Sequence, residues 1–343
     1  MTKPIMQLEN VTVSFEGRDG GGKKVQMDVL QELSLDIFSG EILAIVGESG
    51  CGKSTLGKVL AGLHRPAEGT YRYEGQDSVV LKGKEKKAFR LGVQLIQQDS
   101  YAALNPSRTI FQSLKAPLVA HRLTRGAKQT RKRVTELLET VGLTPVEQFV
   151  DKFPHQLSGG QRQRVLMARA ISLNPRVIIA DEPVSMVDVS LRLSILNLMS
   201  RLNKELGIAF IYITHDLATA RFIAQKGRLA VMYLGRIVEL SEVGLMMNQA
   251  QHPYMQALLS AVPLPHPKMA KLKKQLPIKG YEVPKLTSSP TGCHFHPRCP
   301  YATEECERET PQLREGKHGV VACHHAERIP VWTLPHSSAS SSS

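Results

Sequence analysis

The sequence predicts an α/β fold: a buried, mainly parallel sheet wrapped by helices, followed by a small cysteine-rich module. Three observations carry this. Short apolar runs, "EILAIVG" (41–47), "RVIIADE" (176–182) and "IAFIYITHD" (208–216), end in polar residues, as buried parallel strands do. Between them, "TRKRVTELLETVGL" and "LRLSILNLMSRLNKEL" repeat apolar residues at three- and four-residue spacing, the pattern of helices with one buried face. The composition then breaks: six prolines (263, 265, 267, 277, 284 and 290) precede three cysteines and two histidines crowded into "GCHFHPRCPYATEECERE" (292–309). Prolines at that density oppose a continuous helix or central strand.

The expected organisation is a large domain over residues 1–260, a proline-rich linker over 261–291, a four-cysteine module over 292–326 and a tail over 327–343. The tail ends in "SSASSSS" and is expected to be disordered. At 343 residues the chain has room for a large domain and a smaller one. No stretch approaches the roughly 20 apolar residues of a membrane-spanning helix. The N-terminus lacks a signal-peptide core. A cytosolic chain is expected, and in that reducing compartment clustered thiols point to metal before disulfide. The net charge of +13 is spread over runs such as "KGKEKKAFR" and "KMAKLKK", which read as solvated faces rather than a nucleic-acid groove.

The first motif is "GESGCGKST", Gly47 to Thr55, between an apolar strand and the helical "LGKVLAGL". It matches the phosphate-binding loop G-x-x-x-x-G-K-[ST] in the required context. Gly47, Gly50 and Gly52 let the backbone curl so that its N–H groups face an anion, and the following helix adds its positive end. Lys53 supplies a point charge to the β and γ phosphates, and the Ser54 hydroxyl can ligate Mg²⁺. Glu48, Ser49, Cys51 and Thr55 complete the nucleotide-binding set, with Cys51 read as a small loop residue rather than a nucleophile. In "RVIIADEP" a strand delivers Asp181, which can hold Mg²⁺ through water, and then Glu182, which can polarise an attacking water.

Further motifs follow in order. "LSGGQRQR" (157–164) is a serine-glycine turn opening a helix. With Gln98 in "LIQQDSYAALNP", Asp188 in "SMVD" and His215 in "ITHD", it resembles the ATP-binding-cassette (ABC) proteins. The resemblance implies an ABC nucleotide-binding domain with a RecA-like core, an antiparallel β subdomain and a helical subdomain at about 99–153. It implies that Glu182, His215 and Gln98 act in hydrolysis, that Gln98 joins Ser54 on Mg²⁺, and that Phe15 stacks on adenine. It also implies that Ser158, Gly159, Gly160 and Gln161 close over ATP held by a second subunit, with Asp188 nearby.

"GESGCGKSTLG", "YAALNP", "ADEPVS", "HPYMQALLSAVP" and the terminal cysteines together resemble the oligopeptide/dipeptide importer ATPases, nearer to the second ATPase subunit of such pairs. Gln97 and Ser100 stand where Phe and Pro are common in the family, and "SMVD" replaces "SALD". The implied partners are a second ATPase subunit, two transmembrane permease subunits and, indirectly, an extracytoplasmic substrate-binding protein. No nucleic acid is expected. The implied location is peripheral, at the cytoplasmic face of the inner membrane. Peptides are the expected cargo, with nickel chelates or oligosaccharides as alternatives. A soluble ABC ATPase acting on DNA or ribosomes is the rival class.

Between the cysteines lie five (293 to 299), six (299 to 306) and sixteen (306 to 323) residues, matching neither zinc ribbons nor the ferredoxin run. From spacing alone Zn²⁺ and an iron–sulfur cluster fit equally, with His294, His296, His324 and His325 as substitute zinc ligands; free thiols or a disulfide pair also remain open. The family resemblance implies a [4Fe–4S] cluster on Cys293, Cys299, Cys306 and Cys323. It would be a structural staple in a domain apart from the phosphate site.

Overall fold

Strands rich in Val, Ile and Ala with no exposed face belong at the centre of a sheet, and three short ones here do. A computed structural model of the chain describes residues 3–18, 24–262, 276–284, 286 and 289–332. Most of the expected linker, residues 19–23 and residues 333–343 of the expected tail lie outside the described residues.

The chain opens with β1 (Met6–Arg18) and β2 (Lys24–Ile37), an antiparallel pair. Next come β3 (Ile42–Val46), α1 (Lys53–Leu60), β4 (Glu68–Tyr73), β5 (Gln76–Asp77), α2 (Gly83–Gly92) and β6 (Val93–Ile96). Three helices follow, α3 (Ile110–Ala120), α4 (Gly126–Thr140) and α5 (Gly159–Ile171), the first two between residues 99 and 153. The chain then returns to strands: β7 (Val177–Asp181), α6 (Val189–Leu206), β8 (Ala209–Thr214), α7 (Leu217–Ile223), β9 (Arg228–Tyr233) and β10 (Arg236–Glu242). α8 (Val243–Gln249), α9 (Pro253–Ala261), α10 (Glu304–Arg308), β11 (Arg314–Gly316) and β12 (Gly319–Val321) complete it.

Two sheets result, a small one in the order β2-β1-β4-β5 and a large one in the order β11-β12-β10-β9-β3-β8-β7-β6. In the large sheet β6, β7, β8, β3 and β9 run parallel. Its buried side chains alternate between two cores, as a two-residue period demands. Ala44, Val46, Ile178, Ala180, Phe210 and Tyr212 face the core that contains α3, α4 and α5. Leu43, Ile45, Val177, Ile179, Ile211 and Ile213 face the other core, shared with α1 and the small sheet. Each such fully buried Val, Leu, Ile or Phe side chain contributes roughly 1.5–3 kcal/mol.

Capping sets where helices start. Thr109 caps α3 in a reciprocal box: Gln112 N donates to Thr109 Oγ1 at 3.2 Å, and Thr109 N donates to Gln112 Oε1 at 3.0 Å. Asp216 caps α7 by accepting from Ala218 N at 2.8 Å. Gly207, at φ 65°, ends α6 in the left-handed conformation that favours glycine.

The cysteine-bearing segment extends the large sheet. β12 pairs antiparallel with β10, Glu239 opposite Val321 and Leu240 opposite Val320. Phe295 is 1% exposed, its ring 5.3 Å from that of Tyr233 and 5.4 Å from that of Tyr254. The first residues of the expected tail also pack: Ile329 is buried, and the Pro330 carbonyl accepts from Gln256 Nε2 at 3.0 Å. Among the described residues no helix is long and apolar enough to cross a membrane.

Candidate nucleotide-binding site

The loop between β3 and α1 must turn sharply and approach its neighbours closely. A Cβ on Gly47 would stand 2.2 Å from the Met232 carbonyl oxygen. Gly52 has φ 102°, and a Cβ there would meet the Val29 carbonyl oxygen at 2.8 Å. Lys53, 7% exposed, folds into the curl, donating from Nζ to the carbonyls of Gly47 at 2.7 Å and Glu48 at 2.9 Å. Ser54 is exposed at the start of α1, and Thr55 is half-buried. Burial pushes the Cys51 thiol pKa up, against the lowering influence of Lys53, so it stays a neutral packing group.

Asp181 ends β7 beside this loop. Burial raises its carboxyl above the ordinary range, and a hydrogen bond from Ser54 acts against that shift. Its Oδ1 is buried with no hydrogen-bond partner among the described residues. An unsatisfied carboxylate oxygen beside a hydroxyl is an oxygen-only donor set of the kind Mg²⁺ takes.

Glu182 follows at φ 49°, a left-handed conformation uncommon outside glycine and costly for a residue with a side chain. Its N–H donates to the Ile213 carbonyl at 2.9 Å. Its Oε1 receives the backbone N–H of His215 at 3.0 Å and lies 2.6 Å from His215 Nδ1. Glu182 is 12% exposed and His215 is 60% exposed, so the pair lies at the surface with the carboxylate on the inner side. Neighbouring parallel strands β7 and β8 place these two residues together at one end of the sheet. Gln98 lies two residues past β6, exposed. β6 pairs in parallel with β7, Ile96 opposite Ala180.

The "SGGQ" motif is a helix cap. Ser158 Oγ accepts from Gln161 N at 3.3 Å, and Ser158 N donates to Gln161 Oε1 at 3.0 Å. A Cβ on Gly159 would meet the Met186 carbonyl at 3.0 Å, so this turn packs against the "SMVD" segment, where Asp188 precedes α6 with its side chain exposed. α5 packs in the core of one face of the large sheet and α1 in that of the other. One chain thus holds its phosphate loop and its "SGGQ" turn on helices of opposite faces. Phe15 packs its ring edge-on against His64 at 5.3 Å. Its cross-strand partner Met27, rather than Phe15, lines a cavity with Glu48, Ser49 and Cys51.

Cys293, Cys299, Cys306 and Cys323 line one small cavity with His252, Phe295 and Tyr301. None of the four is joined in a disulfide. Burial pushes the pKa values of Cys293 and Cys299 to about 11 and of Cys323 to about 12, and the neighbouring cysteines add to the rise. The four candidate histidines each have a nitrogen engaged elsewhere: His294 with the Leu234 carbonyl, His296 with the Cys293 carbonyl, His324 with the Glu309 carbonyl and His325 with the Thr303 hydroxyl. Among the described residues no group of three or more His, Cys, Asp or Glu side chains is disposed to hold a single metal ion.

Residues given no role by the sequence reading also build the site. Arg162 in α5 is buried and stacks its guanidinium 3.6 Å over the Tyr101 ring. Arg169 donates to the Ala103 carbonyl at 2.7 Å. Together they pin the segment after Gln98 to the helix that "SGGQ" opens. The helical period of "QRQRVLMARA" marks both arginines as facing inward, but not what they hold.

The family described as ABC transporter matches residues 30–185, and the family described as oligopeptide/dipeptide transporter, C-terminal region, matches residues 238–306. The di/tripeptide transport ATP-binding protein DppF of Pseudomonas aeruginosa (strain UCBPP-PA14) is 41% identical over 326 residues, covering 95% of this chain and 98% of that one. The oligopeptide transport ATP-binding protein OppF of Escherichia coli (strain K12) is 38% identical over 325 residues, covering 94% and 96%. Among solved structures, the dimeric post-hydrolysis state of the ATP-binding cassette MJ0796 bound to ADP and phosphate superposes with a TM-score of 0.59 at 31% identity, over 69% of this chain and 98% of that one.

Proposed function

The chain belongs to the ABC transporter family, in its oligopeptide/dipeptide branch, and on that premise we propose that it hydrolyses ATP to energise peptide import across a membrane. The observation that carries the catalytic part is the Glu182–His215 contact at 2.6 Å, on the strand end that also bears Asp181. The match to an oligopeptide/dipeptide C-terminal region does not favour the rival acting on DNA or ribosomes.

The chemistry follows from the side chains. The loop N–H groups and the start of α1 receive the phosphates, and Lys53 turns from the Gly47 and Glu48 carbonyls to the β and γ oxygens. Ser54 and Asp181 would hold Mg²⁺, with Gln98 reaching it from beyond β6; bound there, the ion would neutralise charge on the phosphates. Glu182 takes the proton of the attacking water on the oxygen His215 does not occupy, and His215 keeps the carboxylate aimed. Ser158, Gly159, Gly160 and Gln161 serve a nucleotide bound by a second ATPase subunit, with Asp188 beside them. Their place on the opposite sheet face from α1 supports that reading.

The four cysteines would hold a [4Fe–4S] cluster rather than zinc. Their convergence on one cavity supports a group shared by all four. A cluster needs thiolates set more widely than one ion does, and binding it displaces the protons that burial keeps on them. The chain would work at the cytoplasmic face of the membrane with a second ATPase subunit and two permease subunits. Affinity purification of the chain from membranes in mild detergent tests the assembly. Two membrane subunits and a second ATPase co-purify if it is right, and a chain recovered with nucleic acid or ribosomes and no membrane protein contradicts it.

A further inference from the structure

Glu48, the second residue of the phosphate loop, is held at both ends from the last third of the chain. Its N–H donates to the Tyr254 hydroxyl at 2.8 Å. Its carboxylate receives a two-pronged pair from Arg298, Nη1 to Oε2 at 2.8 Å and Nη2 to Oε1 at 2.9 Å. The Arg298 side chain is 7% exposed and the Glu48 side chain 26%. Arg298 is itself fixed: Nε donates to the Gly280 carbonyl at 3.3 Å, and its backbone carbonyl accepts from Lys279 N at 3.0 Å. It immediately precedes Cys299, on the turn that starts at Cys293.

A carboxylate on a loop that must receive a triphosphate repels its ligand unless a cation neutralises it. We infer that Arg298 is a positioning residue of the nucleotide site, neutralising Glu48 and fixing the start of the phosphate loop, so that the cysteine-bearing segment is a working part of that site. The planar fork matters as well as the charge, because a lysine would neutralise Glu48 without fixing the orientation of its carboxylate. The two residues are 250 positions apart, and no local pattern announces the pair.

The inference rests on the reading of Gly47–Thr55 as an ATP site, and the test separates the two. Mg·ATP binding to the full chain is measured by calorimetry, with KM and kcat from phosphate release. Arg298→Met is expected to weaken ATP binding and raise KM about tenfold, within the roughly 5- to 150-fold range of coupled sites, with a smaller change in kcat. Glu48→Gln/Arg298→Met is expected to regain most of that loss, because the stranded carboxylate is gone. Arg298→Met with ATP affinity within about twofold of wild type overturns the inference. So does a double variant as weak as the single one, which would mean that Arg298 only supports the cysteine region. If Arg298→Met does not fold, Arg298→Gln, which also removes the charge, carries the comparison, and wild-type affinity there overturns the inference. A wild-type chain that binds ATP no better than Lys53→Ala removes the site reading itself.

Discussion

Replacing Glu182 with Gln separates binding from hydrolysis, and the structure sets the expected size of the effect. The glutamine carbonyl can keep the position of Oε1, accepting the His215 N–H at 3.0 Å, so the left-handed turn at φ 49° keeps its tether. The amide nitrogen then takes the place of the other oxygen, the one assigned to the attacking water, and it cannot accept a proton. Removing a positioned general base costs about 10²- to 10⁴-fold in rate, or roughly 2.7–5.4 kcal/mol at 1.36 kcal/mol per tenfold. Nothing that holds the phosphates changes, so Mg·ATP affinity stays within about threefold, less than 1 kcal/mol. The assay is single-turnover phosphate release in an assembly where this is the one competent site, with nucleotide affinity measured in parallel. Turnover within about threefold of wild type would refute the assignment of Glu182 as the base.

Ser158→Arg is expected to abolish turnover of the assembly while leaving ATP binding to the isolated chain intact, read by nucleotide affinity of the purified subunit. The lost cap costs α5 about 0.5–2 kcal/mol, visible as a lower unfolding temperature, and severe loss of ATP binding by the isolated chain would contradict the placement of this turn on a second subunit's nucleotide. Protein prepared without air is expected to be brown, with about four irons and matching sulfide per chain. Serine at 293, 299, 306 or 323 weakens cluster retention and Cys51→Ser does not, whereas one zinc and no iron in the wild type makes this a zinc site. Because Arg298 adjoins Cys299 and grips Glu48, iron removal also weakens ATP binding, checked by titration before and after chelation.

What the sequence made legible is local. "GESGCGKST" carries its own strand-turn-helix context, and the curl around Lys53 follows from it. The apolar runs ending at Asp181 and His215 are parallel strands whose common end brings Glu182 and His215 together. What it hid is long-range. β11 and β12 are three residues each, too short for any period, so nothing marked them as edge strands of the main sheet. The fusion of the cysteine segment to the cassette depends on Phe295 entering a ring cluster with Tyr233 and Tyr254, and on Arg298 reaching Glu48. The sequence reading of a separate module therefore missed a contact between the cysteine turn and the phosphate loop. It also began the tail at residue 327, where Ile329 and Pro330 still pack.

Peptide uptake tests the central claim most directly. Proteoliposomes carry this chain with its second ATPase and two permease subunits, a substrate-binding protein is added on the outer side, and ATP with Mg²⁺ is supplied on the side of this chain. The account predicts accumulation of a labelled peptide that requires ATP and is lost when Glu182→Gln replaces the wild type. Accumulation that proceeds without ATP, or that the Glu182→Gln chain supports as well as the wild type, would contradict it.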